Sequence, residues 1–295
     1  MNALTSPHTD RRYVVTGSTG GIGGALRDLL TASGAEVIGV DLLDAEVTAD
    51  LATPDGRRSL VADVRRLSGG RIDGVAAVAG VGALDPVTVR LNYFGTLATL
   101  DGLGPLLTAS DAPRVTVVSS LASIVPTDRR VVAACLAGNE TRAVAAAERV
   151  IAKGRGRIVY GSTKLALNRW LRRHAVGRDW AGAGIPLNAV APGVVDTAAA
   201  HEMVLGDPDE RRATVAIMPQ PLGFPGPVDG VASALAWQLG RDNTFMTGQV
   251  AFVDGGADAV LRQDGPVRPT WRDTVRLTRR YLAARRQGRS APADA

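Results

Sequence analysis

The chain is short of cysteine, lysine and aromatic side chains, and the first two shortages bear on function. One cysteine, Cys135, in 295 residues cannot close an internal disulfide, so nothing here requires an oxidising compartment. It has no base or metal-ligand partner in the sequence and reads as inert; no metal site is expected. No run approaches the roughly 18 apolar residues of a membrane span. Residues 1–10 lack a basic cluster followed by an apolar core, the form of a secretory leader. A cytoplasmic location is the expectation. Lysine occurs only at Lys153 and Lys164, so nearly all positive charge is arginine.

The net charge of +5 is unevenly placed. Residues 266–295 hold eight arginines against Asp273 and Asp294, which leaves −1 on the first 265 residues. A near-neutral body with a basic tail is not the footprint of a nucleic-acid-binding domain. With 45% apolar and 21% charged residues, the body has ample material for one large core.

Short apolar, β-branched runs alternate with helical patterns. Strands are expected at Tyr13–Thr16, Glu36–Asp41, Gly74–Val78, Arg114–Ser119, Pro186–Ala191 and Gln249–Asp254. Helices are expected at Gly21–Ser33, Asp55–Leu67, Thr88–Ser110, Gly161–Trp180 and Val228–Gln238. Strict alternation of α and β, with strands apolar throughout, predicts an α/β fold: a doubly wound parallel sheet of the Rossmann type, spanning 11–265. Residues 1–10 read as a flexible N-terminus. One segment breaks the rhythm: 126–157 reads as a helical insertion, with helices from Asp128 to Leu136 and from Glu140 to Lys153.

After the first strand comes Thr16-Gly17-Ser18-Thr19-Gly20-Gly21-Ile22-Gly23, running directly into a helix. Glycines let the backbone turn tightly and approach a pyrophosphate, at which the free N–H groups of the helix start then point. The second strand ends at Asp41, where a carboxylate can accept from both hydroxyls of an adenosine ribose and would repel a 2′-phosphate. Neither Ser18 nor Leu42 supplies a cation to reverse this. NAD is therefore the expected cofactor, with Leu42 counted in the same site.

Tyr160-Gly161-Ser162-Thr163-Lys164 puts a phenol and an ammonium four residues apart on one helix face. Ser120 ends the fourth expected strand, Asn92 lies in Asn92-Tyr93-Phe94-Gly95-Thr96, and Pro192-Gly193-Val194-Val195-Asp196-Thr197 follows the strand after the tyrosine helix. In this order the motifs resemble the short-chain dehydrogenase/reductase family, from Arg12 to about Leu261. The resemblance implies catalytic roles for Ser120, Tyr160, Lys164 and Asn92. It implies cofactor roles for Gly17, Gly21, Ile22, Gly23 and Asp41, for Tyr160 and Lys164, for Asp50 and Leu51 on the adenine side, for Ala79 and Gly80, and for Val195 and Thr197 at the nicotinamide carboxamide. Within the family the chain is similar to the bacterial 3α-hydroxysteroid dehydrogenase/carbonyl reductase branch, in Asp44-Ala45-Glu46-Val47, Val89-Arg90-Leu91-Asn92-Tyr93 and the insertion itself. It departs at Ala77-Val78-Ala79-Gly80, where the family's Asn-Asn-Ala-Gly turn has lost both amides.

A free phenol has a pKa near ~10, so Tyr160 needs help to act as a base. The Lys164 ammonium and an oxidised nicotinamide would favour its phenolate. Tyr160 is then expected to exchange the proton with the substrate oxygen, Ser120 to hold that oxygen, Lys164 to bind the nicotinamide ribose and Asn92 to anchor a relaying water. Residues 198–225 are read as a substrate lid whose Met203, Val204, Leu205, Ile217, Met218, Leu222 and Phe224 suit a small hydrophobic alcohol or ketone such as a hydroxysteroid, or else pack the lid shut. His201 is read as a solvated loop histidine and His174 as structural. The insertion is expected to obstruct subunit pairing through the tyrosine helix and to favour a homodimer. The tail reads as a basic amphipathic helix, for which peripheral membrane contact is one reading and a solvated extension another. Reduction of a terpenoid or polyketide ketone would use the same residues. A dinucleotide-binding sensor without turnover is the alternative of another class, and the complete set of Ser120, Tyr160, Lys164 and Asn92 argues against it.

Overall fold

The computed structural model of the protein describes residues 6–263 and residue 275. Two compact units divide the chain, Met1–Ala257 and Asp258–Ala295. The basic tail expected over 266–295 lies outside the described residues, residue 275 apart. Among the described residues no helix is long and apolar enough to cross a membrane.

Seven parallel strands form one sheet. They are β1 (Arg12–Thr16), β2 (Glu36–Asp41), β3 (Val47–Thr48), β4 (Gly74–Ala77), β5 (Arg114–Val118), β6 (Leu187–Pro192) and β7 (Val250–Val253), in the order β3-β2-β1-β4-β5-β6-β7. The order reverses between β1 and β4, which opens a crevice at their carboxyl ends, where doubly wound sheets take their ligands. Side chains alternate between two cores, as a sheet covered on both faces requires. Tyr13 and Val15 face α1 (Gly21–Ala32) and the later α10 (Val228–Leu239), while Val14 faces a larger core shared with α2 (Pro54–Ser68).

The expected helix over 88–110 is three successive pieces: α3 (Val87–Val89), a π-helical stretch Arg90–Gly95 and α4 (Thr96–Leu107). The insertion holds α5 (Arg129–Leu136) and α6 (Glu140–Ile151), each opened by a side-chain cap. Asp128 accepts from Arg130 N and Val131 N, and Asn139 from Arg142 N. Both helices bury apolar faces in the larger core and pack along α7 (Arg157–His174). Helix α7 was expected at Gly161–Trp180 but lies earlier in the chain. It starts just past Gly154, which takes a left-handed φ of 70°, and stops before Gly177, leaving Trp180 to plug the core from a separate turn.

The expectation of a loose N-terminus does not extend to His8. It is buried, and its Nδ1 meets the Tyr13 hydroxyl at 2.9 Å. The exposed His174, read as structural, has its Nδ1 2.8 Å from the Trp170 carbonyl and its ring stacked on the indole. Cys135 is fully buried, and burial pushes its thiol up to about 12, which makes it inert at neutral pH.

Candidate active site

The turn after β1 is built so that only glycine fits at its closest approach. A Cβ at Gly23 would overlap the carbonyl oxygen of Gly17, and Gly17 itself has φ 71° with Ala79 backbone atoms 3.0 Å from any Cβ it might carry. The turn is pinned to β2 by Gly17 N donating to Val40 O at 2.8 Å. Ile22 sits partly buried in the first turn of α1, against the smaller core. The Ser18 hydroxyl, buried beneath the loop, has no hydrogen-bond partner among the described residues. Backbone stripped of side chains at a helix start, at the switch point of the sheet, is a cradle that a dinucleotide pyrophosphate fits.

Asp41 ends β2 beside this loop. One carboxylate oxygen accepts from Thr19 N at 3.0 Å and Thr19 Oγ1 at 2.8 Å, the other from Leu42 N at 2.8 Å. The Leu42 side chain points largely to solvent. Arg27, the cation on α1, is engaged by Glu46 at 2.6 Å, and Glu46 also takes the Gly39 N–H. Asp50 folds back on Ala52 N and Leu51 is buried, its carbonyl accepting from Arg57 Nε at 2.8 Å.

The turn that lacks the family's two amides is held by other groups. Strand β4 ends at Ala77, so the N–H groups of Val78 and Ala79 have no ladder partner. The Thr16 hydroxyl, opposite Ala77 in the register, accepts both, at 3.0 and 3.1 Å. Asn92 takes Val81, two residues on: Oδ1 accepts from Val81 N and Nδ2 donates to Val81 O, both at 2.8 Å. Its side chain is thus committed to the turn, and its carbonyl faces the Thr96 hydroxyl at 3.1 Å, within the π-helical stretch. Such stretches recur at functional sites. Gly80 brings the pieces together, since a Cβ there would lie 3.1 Å from Asn92 Oδ1 and 3.4 Å from Lys164 Nζ.

Ser120 follows β5, and its hydroxyl accepts from Ala122 N at 3.1 Å and acts on the Tyr160 phenol. Lys164, 2% exposed, donates to Val118 O at 2.7 Å and lies 5.7 Å from the Tyr160 ring centre. Burial pushes the Tyr160 phenol above its ordinary value, against the pull of the Ser120 hydrogen bond. Burial also lowers Lys164 to about 8. With burial acting in this direction, the phenol holds its proton at neutral pH in the protein alone. Ser162, between them, accepts from Asp128 N at 2.8 Å and ties the insertion to the tyrosine helix.

Opposite the phosphate loop, Thr197 caps α8 (Ala198–Ala200) by accepting from Ala200 N, and its methyl lies 3.3 Å from where a Gly21 Cβ would be. Val195 is buried and bridges to Gly226. The buried amide of Gln220 braces this turn by donating to Val194 O and Gly223 O, both at 3.1 Å. Sequence reasoning missed Gln220, and no local pattern marks it; Thr16 and Ser162 sat inside motifs that were read for other residues.

The family model described as enoyl-(acyl carrier protein) reductase matches residues 17–258. The 3-alpha-hydroxysteroid dehydrogenase/carbonyl reductase of Comamonas testosteroni is 35% identical over 254 residues, which cover 84% of this chain and 97% of that protein. The chain belongs to the short-chain dehydrogenase/reductase family. It is an oxidoreductase of that family, with the Rossmann-like parallel sheet read from the sequence. The coniferyl-alcohol dehydrogenase of Pseudomonas sp. (strain HR199 / DSM 7063) is a further relative of this short-chain dehydrogenase, 30% identical over 270 residues, 84% of this chain and 96% of that one. Among solved structures, the 3-alpha-hydroxysteroid dehydrogenase from Pseudomonas sp. B-0831, complexed with NADH, superposes with a TM-score of 0.79 at 40% identity, over 85% of this chain and 98% of that one.

The remaining segment read as a lid contains α8, a π-helical turn His201–Leu205 and α9 (Pro208–Ile217). Met203 lies against Gly82, and Arg157, at the head of α7, pairs with Glu210 at 2.9 Å. Ile217 and Leu222 are exposed, whereas Val204, Leu205, Met218 and Phe224 are partly buried. His201 is exposed and pairs with Asp196 at 2.8 Å.

Proposed function

We propose that this oxidoreductase uses NAD(H) to interconvert a secondary alcohol and a ketone on a hydrophobic alicyclic substrate such as a hydroxysteroid. The observation that carries the reading is the set Ser120, Tyr160 and Lys164, gathered at the ends of β5 and α7 next to the glycine turn. When bound, the dinucleotide supplies the hydride chemistry. Tyr160 Oη takes the proton from the alcohol or returns it to the ketone, and Ser120 donates to the same oxygen. Lys164 has spent one N–H on Val118 O and keeps the others for the ribose hydroxyls. A cationic nicotinamide beside the phenol would offset the upward push of burial. The backbone carbonyl of Asn92 accepts from the Thr96 hydroxyl and keeps a second lone pair for a relaying water. Gly17, Gly21, Ile22 and Gly23 hold the pyrophosphate, Asp41 the adenosine ribose, and Val195 and Thr197 the carboxamide.

The NAD preference is supported by Asp41, held by Thr19 and Leu42, and by Glu46 engaging Arg27, which denies a 2′-phosphate that cation. The hydroxysteroid reading is supported by the relatives and by the apolar side chains left uncovered on 198–225. The homodimer reading draws on the insertion, whose two helices pack against α7.

NADH absorbance followed with hydroxysteroids, terpenoid alcohols and simple secondary alcohols tests the reading, repeated with NADP. Turnover with NAD on the alicyclic class is expected, and Tyr160→Phe should lower kcat by about a hundredfold or more while NADH still binds. Full activity in that variant would refute the role of Tyr160.

A further inference from the structure

A groove of about 460 Å³ opens on the segment 198–225, lined by Leu205, Pro208, Arg211, Arg212, Val215 and Phe224. Its size is that of a small-molecule site. Residues 208, 211, 212 and 215 repeat at the spacing of one face of α9, so the groove runs along that helix. Along the chain, both walls lead to segments of the candidate site. Leu205 ends the turn that lays Met203 on Gly82, in the loop held by Asn92. Phe224 precedes the Gly226 that bridges to Val195. The neighbouring Glu210 joins α9 to the head of the tyrosine helix through Arg157.

The charges around the groove are unequal. Arg212 is paired with Asp209 and Arg157 with Glu210. Among the described residues no carboxylate pairs with Arg211, whose guanidinium lies over the Phe224 ring at 6.0 Å. A cation stacked on an aromatic face at the edge of an apolar groove keeps its in-plane N–H groups for an anion, and a guanidinium fork matches a carboxylate.

Resting on the oxidoreductase reading above, we propose that this groove takes the end of the substrate remote from the reacting carbon. The substrate class is then an apolar alicyclic alcohol or ketone that carries a carboxylate, read by Arg211. The apolar body covers Leu205, Val215 and Phe224, and the acid reaches the solvent-facing guanidinium.

The test compares a hydroxysteroid bearing a side-chain carboxylate with its methyl ester. With NAD, the acid is expected to have the higher kcat/KM, and Arg211→Gln to reduce the acid-to-ester ratio about tenfold through KM, whereas Arg211→Lys keeps most of it. An unchanged ratio in Arg211→Gln overturns the proposal. Calorimetric binding of the same two ligands to protein saturated with NADH gives an answer that does not need turnover. Preference for the acid, lost in Arg211→Gln, supports the groove. Equal binding of acid and ester, or binding of neither, overturns it. Failure of the oxidoreductase reading shows separately, as absence of turnover with any alcohol of the wider panel.

Discussion

Replacing Thr16 by valine removes one oxygen and keeps the size and β-branching of the side chain. That oxygen is the acceptor for two backbone donors, Val78 N and Ala79 N, just beyond the end of β4. A donor left without an acceptor costs about 1–3 kcal/mol when buried. Thr16 is fully buried but Val78 and Ala79 are only partly so, and water can replace some of what is lost. The expected destabilisation is about 2–3 kcal/mol for the pair. Urea unfolding should show it as a lower midpoint with an unchanged slope. Because Ala79 and Gly80 belong to the proposed cofactor site, NADH affinity measured by fluorescence titration should fall as well. Thr16→Ser keeps the hydroxyl and should recover most of both losses. A change below about 0.5 kcal/mol, the range of ordinary surface substitutions, would refute the account of how this turn survives without its amides.

The depressed pKa of Lys164 makes stability depend on pH. Its folded value of about 8 lies below its ordinary 10.5, so the unfolded chain holds the proton more tightly. The burial cost is then fully present below pH 8 and is relieved as pH rises toward 10.5, on the order of 3 kcal/mol over the whole window. Denaturation midpoints from pH 7 to 9.5, compared with Lys164→Met, should show this rise in the wild type only. Arg57 bonds Glu140 with both terminal nitrogens and also holds Leu51 O and Arg90 O. Arg57→Met should cost about 2–4 kcal/mol and speed proteolysis within 126–157; equal protease resistance would dispose of the clamp. Sedimentation should give a dimer, and a tetramer joined through α7 would refute the obstruction argument.

Much of the fold was legible because its signals are local. Apolar β-branched runs placed six strands to within a residue or two, and the glycine turn placed the start of α1 at Gly21. The two-residue β3 has too few positions to show a period. The interruption of the 88–110 helix at Arg90–Gly95 was not legible either, since no local pattern of apolar residues marks a π-helical stretch. Helix α7 slid because the apolar pattern continues to Trp180, although that side chain plugs the core from a separate turn. At the site, the spacing of Tyr160 and Lys164 put them on one face. What it could not show is that burial acts on both, raising the phenol and lowering the ammonium. Nor could it show that Asn92 spends its side chain on the turn, because that depends on which backbone groups β4 leaves unpaired.

The bond from Lys164 Nζ to the Val118 carbonyl has a mechanical side. Val118 is the last residue of β5, and Ser120 follows it two positions on. On the same helix, Gly161 lets the Ala122 carbonyl come within 2.5 Å of where its Cβ would be. Two backbone carbonyls flanking Ser120 therefore fix how far α7 stands from the strand end, and with it the gap between the two hydroxyls. Restoring a positive charge to a lysine-less variant with a small soluble amine would return the electrostatics and leave that spacing unregulated. Chemical rescue at this position should consequently be partial, and a bulkier amine should do worse than methylamine.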